Sequence, residues 1–348
     1  MNVSDFAYDL PPGLIAQAPA ESREASRLLV LDRTTGGMVH AEVRDLPHFL
    51  QPGDLFVVNN TKVFPARLLG RRIPCGGMVE CLLVGRLDGD RWDALMHPGQ
   101  KLRPGGRVLF AGEGRQLQGE VLERRFYGRR VVRLWTDDGS PVDEAIDEIG
   151  HVPLPPYIRR PDEPIDRERY QTVFARVRGS VAAPTAGLHL TEALLQRLAE
   201  GGVGRAEITL HVGYGTFKPV RGETVEEHTV DAERFEIDPG AASVINRVLA
   251  ERRRVIAVGT TTTRALESVA SSGLSTVAPV SGWTDLFIYP GFTFRVIGGL
   301  LTNFHLPQSS LLMLVSAFAG RDRTLAAYRE AVRLGYRFYS YGDAMLIL

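Results

Sequence analysis

The rhythm of apolar and polar positions changes twice along the chain. Over the first sixty residues, the short apolar runs RLLVLD, GGMVHAEV and GDLFVVNN are punctuated by Gly, Pro and Asp, which predicts strands. From Thr61 to Gly150 the texture stays strand-like and no good helix is predicted. There VECLLVGRL, RWDALMH, GRVLFAG, QGEVLERRF and RRVVRLW are separated by the turn clusters LDGD, RPGG and AGEG. Short strands at that spacing predict a small antiparallel barrel or sandwich.

The proline-rich stretch EIGHVPLPPYIRRPDEP cannot continue regular structure and reads as a connector of fixed geometry. Beyond it, strands and helices alternate. LTEALLQRLAEGG has Thr191 as N-cap, a helical apolar pattern and Gly201-Gly202 as its stop,. RAEITLHVGYG reads as a strand, PGAASVINRVLAERR as a helix, RVIAVG as a buried strand and TTTTRALESVASSG as the next helix. DLFIYPG and FRVIGGLLTNF look strand-like, and SSLLMLVSAFAG and TLAAYREAVRLGY look helical. Alternation of this kind predicts an α/β fold, whose sheet the N-terminal strands complete. The expected architecture is therefore a mixed α/β main domain, residues 1–60 and 151–348, with a small antiparallel β-barrel, residues 61–150, inserted into it.

Composition narrows the class. A chain of 348 residues favours two domains over one core,. The longest apolar-rich run, SSLLMLVSAFAG, is too short to span a bilayer,, and MNVSDFAYDLPPG lacks the basic and apolar regions of a signal peptide,. A cytoplasmic protein without a membrane partner is expected. Cys75 and Cys81 are the only cysteines and form no CxxC, so neither a disulfide framework nor a zinc site is indicated. The formal net charge is zero, which gives no global sign of nucleic-acid binding. Its distribution is uneven, however: Thr61 to Arg130 holds fourteen Lys or Arg against seven Asp or Glu.

Several polar loops follow the predicted strands. RVIAVGTTTTRALES places Gly259 and four threonines between a buried strand and a helix, where free N–H groups meet polar or anionic ligands. Arg264 and Glu267 then share one helix face, an arrangement that reads equally as a surface ion pair. TLHVGYGTFKPV carries His211, Gly213, Gly215 and Thr216; its GxG admits a close ligand or simply a bend. LLTNFHLPQSS puts Asn303 and His305 at a strand end, and YRFYSYGDAMLIL buries Asp343 beside Gly342. Both positions suit catalysis or turn capping. Asn59-Asn60-Thr61 makes a turn at the junction with the basic segment. The histidines have no metal-ligand spacing. No Walker A or GxGxxG occurs, so neither a nucleoside triphosphate nor a dinucleotide is indicated.

Taken together, DFAYDLPPGLIAQAP, PGDLFVVNNTKVFPARLLG, GHVPLPPYI, YQTVFA, GSVAAPTAGLHLTEALL, TLHVGYGTFKPV, VIAVGTTTTRALES, LFIYPGF, LTNFHLPQSSLLMLVSAFAG and YRFYSYGDAML resemble one enzyme family. It is the S-adenosylmethionine:tRNA ribosyltransferase-isomerases of queuosine biosynthesis. The likeness covers Met1 to about Arg72 and His151 to Leu348, and is weaker between. It implies transfer of the ribosyl part of S-adenosylmethionine to 7-aminomethyl-7-deazaguanine (preQ1) at the tRNA wobble position. Isomerisation gives epoxyqueuosine, and adenine and methionine leave. The donor is consumed, with no metal or redox cofactor. The family fold, an α/β domain with an inserted β-barrel, agrees with the pattern, and a monomer is expected.

On that resemblance the catalytic candidates are His189, in the loop APTAGLHL, with His211, His305, Asp343 and Glu267. Asn60, Thr185, Gly187, Gly213, Gly215, Thr216, Thr260, Thr261, Arg264 and Asn303 are candidates for donor or base binding, Arg264 either orienting Glu267 or touching substrate. For tRNA, the candidates are Arg67, Arg71, Arg72, Arg124, Arg125, Arg129 and Arg130, with Phe126 and Tyr127 among the last four. Binding that weakens steeply with salt is the corresponding expectation. The chain departs from the family at Val230-Asp231-Ala232-Glu233, where relatives carry a Met-His-Ser-Glu-like stretch. Only Glu233 of that stretch is kept. A second enzymatic reading, from the GxG after a strand, is an S-adenosylmethionine-dependent RNA methyltransferase. A non-enzymatic one is an RNA-binding module built on the basic β segment.

Overall fold

The computed structural model describes every residue except Glu113, Lys218, Pro219, Arg221 and residues 271–275, and the side chains of Tyr127 and Phe217. The Tyr127 side chain, the Lys-Pro end of the glycine–threonine loop and the SSG end of the threonine helix, all named above, thus lie outside the described residues.

Long apolar runs build the centre of a nine-stranded mixed sheet. Gly204–Leu210, Leu55–Asn59, Val255–Val258 and Gly299–Asn303 are neighbours and run parallel. Strands covered on both faces read as continuous apolar segments, and Leu55–Asn59 is buried at every position. Its alternate residues serve different cores. Leu55 and Val57 pack beneath helices Pro239–Ala250, Thr260–Ala270, Ser310–Ala319 and Arg321–Arg333. Phe56 and Val58 face helix Glu192–Glu200 and the turn after the first strands.

The expected N-terminal strands do complete this sheet. Arg27–Leu31 pairs in parallel with the C-terminal strand Ala344–Ile347 and antiparallel with the edge strand Met38–Glu42. Two strands at the other edge, Glu233–Ile237 and Val280–Thr284, escape the sequence pattern because both are short and only half buried. DLFIYPG is not a strand: the sheet strand begins at Gly299. Its Phe287 and Tyr289 rings instead pack on each other and against the core.

The basic segment forms a closed six-stranded barrel of antiparallel pairs between Arg67 and Trp135. Alternating burial along Gln116–Arg124 turns Leu117 and Val121 inward with Leu68, Cys81, Trp92, Phe110 and Leu134. A helix not expected there, Val142–Ile149, places Ala145 and Ile146 in the barrel core. Thr61–Val63, just before the barrel, pairs in parallel with Val177–Ser180. The α/β fold with an antiparallel barrel is therefore the observed one. Among the described residues, no helix is long and apolar enough to cross a membrane.

Candidate active site

The four parallel strands end on one edge of the sheet, the side on which open α/β sheets bind ligands. A cavity lies there. Its walls are the turn Ala182–Ala186, Thr216, the helix start Gly259–Thr261, Thr302, Asn303 and His305 at the strand exit, and Tyr157, Tyr339 and Ser340. Three loops far apart in sequence thus converge with the proline-rich connector. The Tyr157 and Tyr339 rings meet edge to face at 3.8 Å between centroids.

The four threonines divide by role. Thr262 Oγ1 donates to the Val258 carbonyl at 2.8 Å and Thr263 Oγ1 to the Gly259 carbonyl at 3.2 Å, so both fold back on the helix. Thr260 and Thr261 line the cavity instead. Gly259, at φ 95°, makes the left-handed entry to the helix beside Ala186,. The first N–H groups of such a helix have no intrahelical acceptor.

Of the three candidate histidines, only His305 lines the cavity. Its Nε2 is 2.9 Å from Thr302 Oγ1, its N–H donates to Tyr328 Oη at 3.2 Å, and its carbonyl accepts from the Tyr8 hydroxyl. His189 lies one layer behind the wall, 4% exposed, with Nε2 at 3.0 Å from Asn303 Nδ2. His211 Nδ1 is 2.9 Å from Thr61 Oγ1, and its ring packs against Gly179. It therefore holds the barrel junction rather than the cavity.

Burial lowers the proton affinity of both inner histidines, His189 to a pKa of about 4 and His305 to about 3; nearby Arg337 and Arg23 add to the effect at His189,. Both rings are neutral at pH 7. Because the native pKa values lie below the ordinary 6.5, the unfolded chain binds more protons between them, and stability falls as pH falls. Denaturant unfolding should show full stability above about pH 6.5 and a loss on the order of several kcal/mol by pH 4. The His189→Gln variant should lose less over the same window.

Several expected site residues are placed elsewhere. Glu267 accepts from the backbone N–H groups of Arg295, Val296 and Ile297 at 2.9–3.0 Å, tying its helix to the loop that enters strand Gly299–Asn303. Burial raises its pKa, and these bonds offset part of the rise. Asp343 accepts from the N–H groups of Arg27 and Arg337 and from Arg27 Nε, which fastens the last strand to the first. Asn60 bonds Thr209 and Glu207 across the strand ends. Gly187 is needed for packing, since a Cβ there would come within 2.8 Å of Phe174 and 2.9 Å of Thr172.

Arg264 does not orient Glu267. Its Nη1 donates to Glu233 Oε2 at 2.5 Å and its Nε to the Leu286 carbonyl. Glu233 in turn accepts from Gly213 N–H and Thr216 Oγ1, so it shapes the glycine loop. Gly215 lies against Asp231 in a recess that Thr216 and Leu311 share with the cavity. The sequence left Glu233 without a role; its retention where the family pattern fails was the available signal.

The basic candidates also separate. Arg130 is 1% exposed, its guanidinium spent on the carbonyls of Leu102, Arg129 and Gly99, so it holds the barrel and is not free for a phosphate. Arg67 and Arg125 pair with Glu80 and Glu123 on the barrel surface, and Arg129 pairs with the buried Asp93. Arg71 donates to the Gly76 carbonyl, and Arg72 lies over Gly77. Arg124 is exposed near Phe126, itself 86% exposed. A cleft of about 820 Å³ separates barrel strands from the connector His151–Asp162. Pro156 and Ile158 wall it, while Tyr157 between them turns into the cavity.

A sequence model of the queuosine biosynthesis protein family matches residues 3–347. The chain is similar to proteins named S-adenosylmethionine:tRNA ribosyltransferase-isomerase from Heliobacterium modesticaldum, at 54% identity over 348 residues, and Symbiobacterium thermophilum, at 53%. All of both chains is covered in each case. A crystal structure of S-adenosylmethionine tRNA ribosyltransferase from Thermotoga maritima is 38% identical, with a TM-score of 0.57, over 99% of this chain and 100% of that one.

Proposed function

The chain belongs to the queuosine biosynthesis protein family, and we propose that the cavity at its parallel strand ends is where a ribosyl unit passes from S-adenosylmethionine to tRNA. The activity is that of a ribosyltransferase-isomerase acting in queuosine synthesis. The finer reading is that the acceptor is preQ1 at the wobble position. Its amine loses a proton and gains a bond to a ribosyl carbon, the ribose ring opens, and its carbon chain closes to an epoxycyclopentanediol as the glycosidic and carbon–sulfur bonds of the donor break, so that adenine and methionine leave. S-adenosylmethionine is a consumed substrate in this scheme and no further cofactor is needed.

One observation carries the assignment of the site. Thr185, Thr216, Thr260, Thr261, Asn303 and His305, from separate loops, line a single cavity. The sulfonium acidifies the adjacent 5′ carbon, so a base beside it can start ring opening; a positioned base is worth about 10²–10⁴-fold. His305, the candidate histidine in the wall, is the group placed for that role; burial keeps it neutral and makes it a weaker base than a free imidazole,. Hydroxyl and amide groups from the threonines and Asn303 hold the sugar while it rearranges.

The tRNA reading rests on the barrel. The cleft beside the connector opens next to the cavity, and exposed Arg124 and Phe126 offer phosphate pairing and base stacking,. In this reading residues 61–150 form an inserted RNA-contacting domain, residues 1–60 and 151–348 form the catalytic one, and a soluble monomer works in the cytoplasm. Product analysis separates it from RNA methylation. Free adenine and methionine in equal amounts are expected, and S-adenosylhomocysteine would sink the proposal. Tight tRNA binding with no donor turnover would leave only an RNA-binding module.

A further inference from the structure

We infer that His189 is a positioning residue: its ring fixes the side-chain amide of Asn303, whose Oδ1 is the acceptor for a hydroxyl of the donor's ribosyl unit. This rests on the reading of the cavity as the donor site.

The hydrogen-bond directions follow from one fixed partner. Asn303 Nδ2 lies 3.1 Å from the Tyr339 carbonyl, which can only accept, so the amide nitrogen must be on that side. Its second N–H points to His189 Nε2 at 3.0 Å. That nitrogen must then offer a lone pair, and the neutral ring carries its proton on Nδ1. A lone pair already engaged with an amide is not free to take a proton from substrate. The flanking Arg23 and Arg337 further oppose a charged ring.

The Tyr339 carbonyl is itself held. Tyr339 has φ 74°, an uncommon conformation for a bulky residue,. Its N–H donates to the Phe304 carbonyl, and its own carbonyl also receives the Gly342 N–H. Both N–H groups of Asn303 are therefore committed, and Oδ1 remains. Asn303 is 2% exposed, and Oδ1 has no hydrogen-bond partner among the described residues. Thr261 Oγ1, in the same cavity wall and 7% exposed, likewise lacks one. A buried polar atom without a partner is destabilising, so two in one cavity mark where a ligand completes the bonding. Asn303 Oδ1 can only accept, while the Thr261 hydroxyl donates or accepts. The pair fits a neutral polyol edge.

The test is equilibrium binding of S-adenosylmethionine and its 2′-deoxy and 3′-deoxy analogues to the full chain and to variants. Wild type should bind at least one deoxy analogue about tenfold more weakly than the parent. Asn303→Ala should bind the parent about tenfold more weakly and lose that discrimination. His189→Gln, whose side-chain oxygen can still accept from Asn303, should keep the discrimination and the wild-type pH profile of turnover. His189→Phe should lose the discrimination.

Equal binding of all three compounds by wild type would overturn the inference without needing any variant to fold. So would unchanged discrimination in Asn303→Ala, or a loss confined to affinity for modified tRNA, which would assign Oδ1 to the acceptor amine. A His189→Gln enzyme as slow as His189→Phe, with an altered acid limb, would make His189 a proton carrier. No binding of S-adenosylmethionine by wild type would instead remove the donor-site reading beneath it.

Discussion

Replacing His305 by alanine is expected to slow adenine release about 10²–10⁴-fold, the contribution of a positioned acid–base group, while donor binding changes by less than about tenfold. The expectation follows from placement. Among the candidate histidines, His305 alone lines the cavity, and its backbone is fixed through Tyr8 and Tyr328. Thr302 occupies Nε2, which leaves Nδ1 as the nitrogen for substrate. His305→Gln keeps an amide that can bond Thr302 but cannot carry a proton, so it should be as slow as the alanine variant. Single-turnover adenine release checks both. Rates within about threefold of wild type would place the base elsewhere.

The largest stability effect is expected at Arg264. It pairs with Glu233 where both side chains are nearly buried, 10% and 4% exposed. Removing one partner of such a pair strands the other charge and costs about 3–5 kcal/mol. Arg264→Met should therefore lower the denaturant midpoint strongly with little change in slope. The double variant Arg264→Met, Glu233→Gln should recover much of the loss, because no uncompensated charge remains. Equal destabilisation of the single and double variants would show that the loss comes from Arg264's other contacts, such as the Leu286 and Thr284 carbonyls, and not from a stranded carboxylate,. Because Glu233 also holds Gly213 and Thr216, the single variant should weaken donor binding as well.

The fold was legible where burial imposes a period. Val255–Val258 and Gly299–Asn303 end apolar runs that only a doubly covered sheet explains, and the barrel announced itself through evenly spaced turns. The edge strand Val280–Thr284 was not legible, because its Ser and Gly positions carry no apolar signal. DLFIYPG misled for the opposite reason: its apolar residues serve an aromatic cluster, not a ladder.

At the site, motif likeness named loops that the fold brings to one cavity but could not say which side chain faces inward. Thr260 and Thr262 are identical in sequence terms, yet the second spends its hydroxyl on Val258. His189 and His305 each close a loop that resembles the family's, yet only the latter reaches the cavity. Asp343 and Glu267 stand among the candidate acids through the family likeness, and the backbone amides that hold both carboxylates are invisible in a sequence. Tyr157 and Tyr339 were missed because their meeting depends on how the connector folds over the C-terminal turn.

A ribosyltransferase-isomerase moves the ribosyl carbon skeleton of S-adenosylmethionine to tRNA, whereas a methyltransferase would leave that skeleton in S-adenosylhomocysteine. Incubation with preQ1-containing tRNA and donor labelled in its ribose tests that most directly. Label retained in the tRNA, with adenine released in equal amount, is the predicted result. Label left wholly in S-adenosylhomocysteine or in unreacted donor would contradict it.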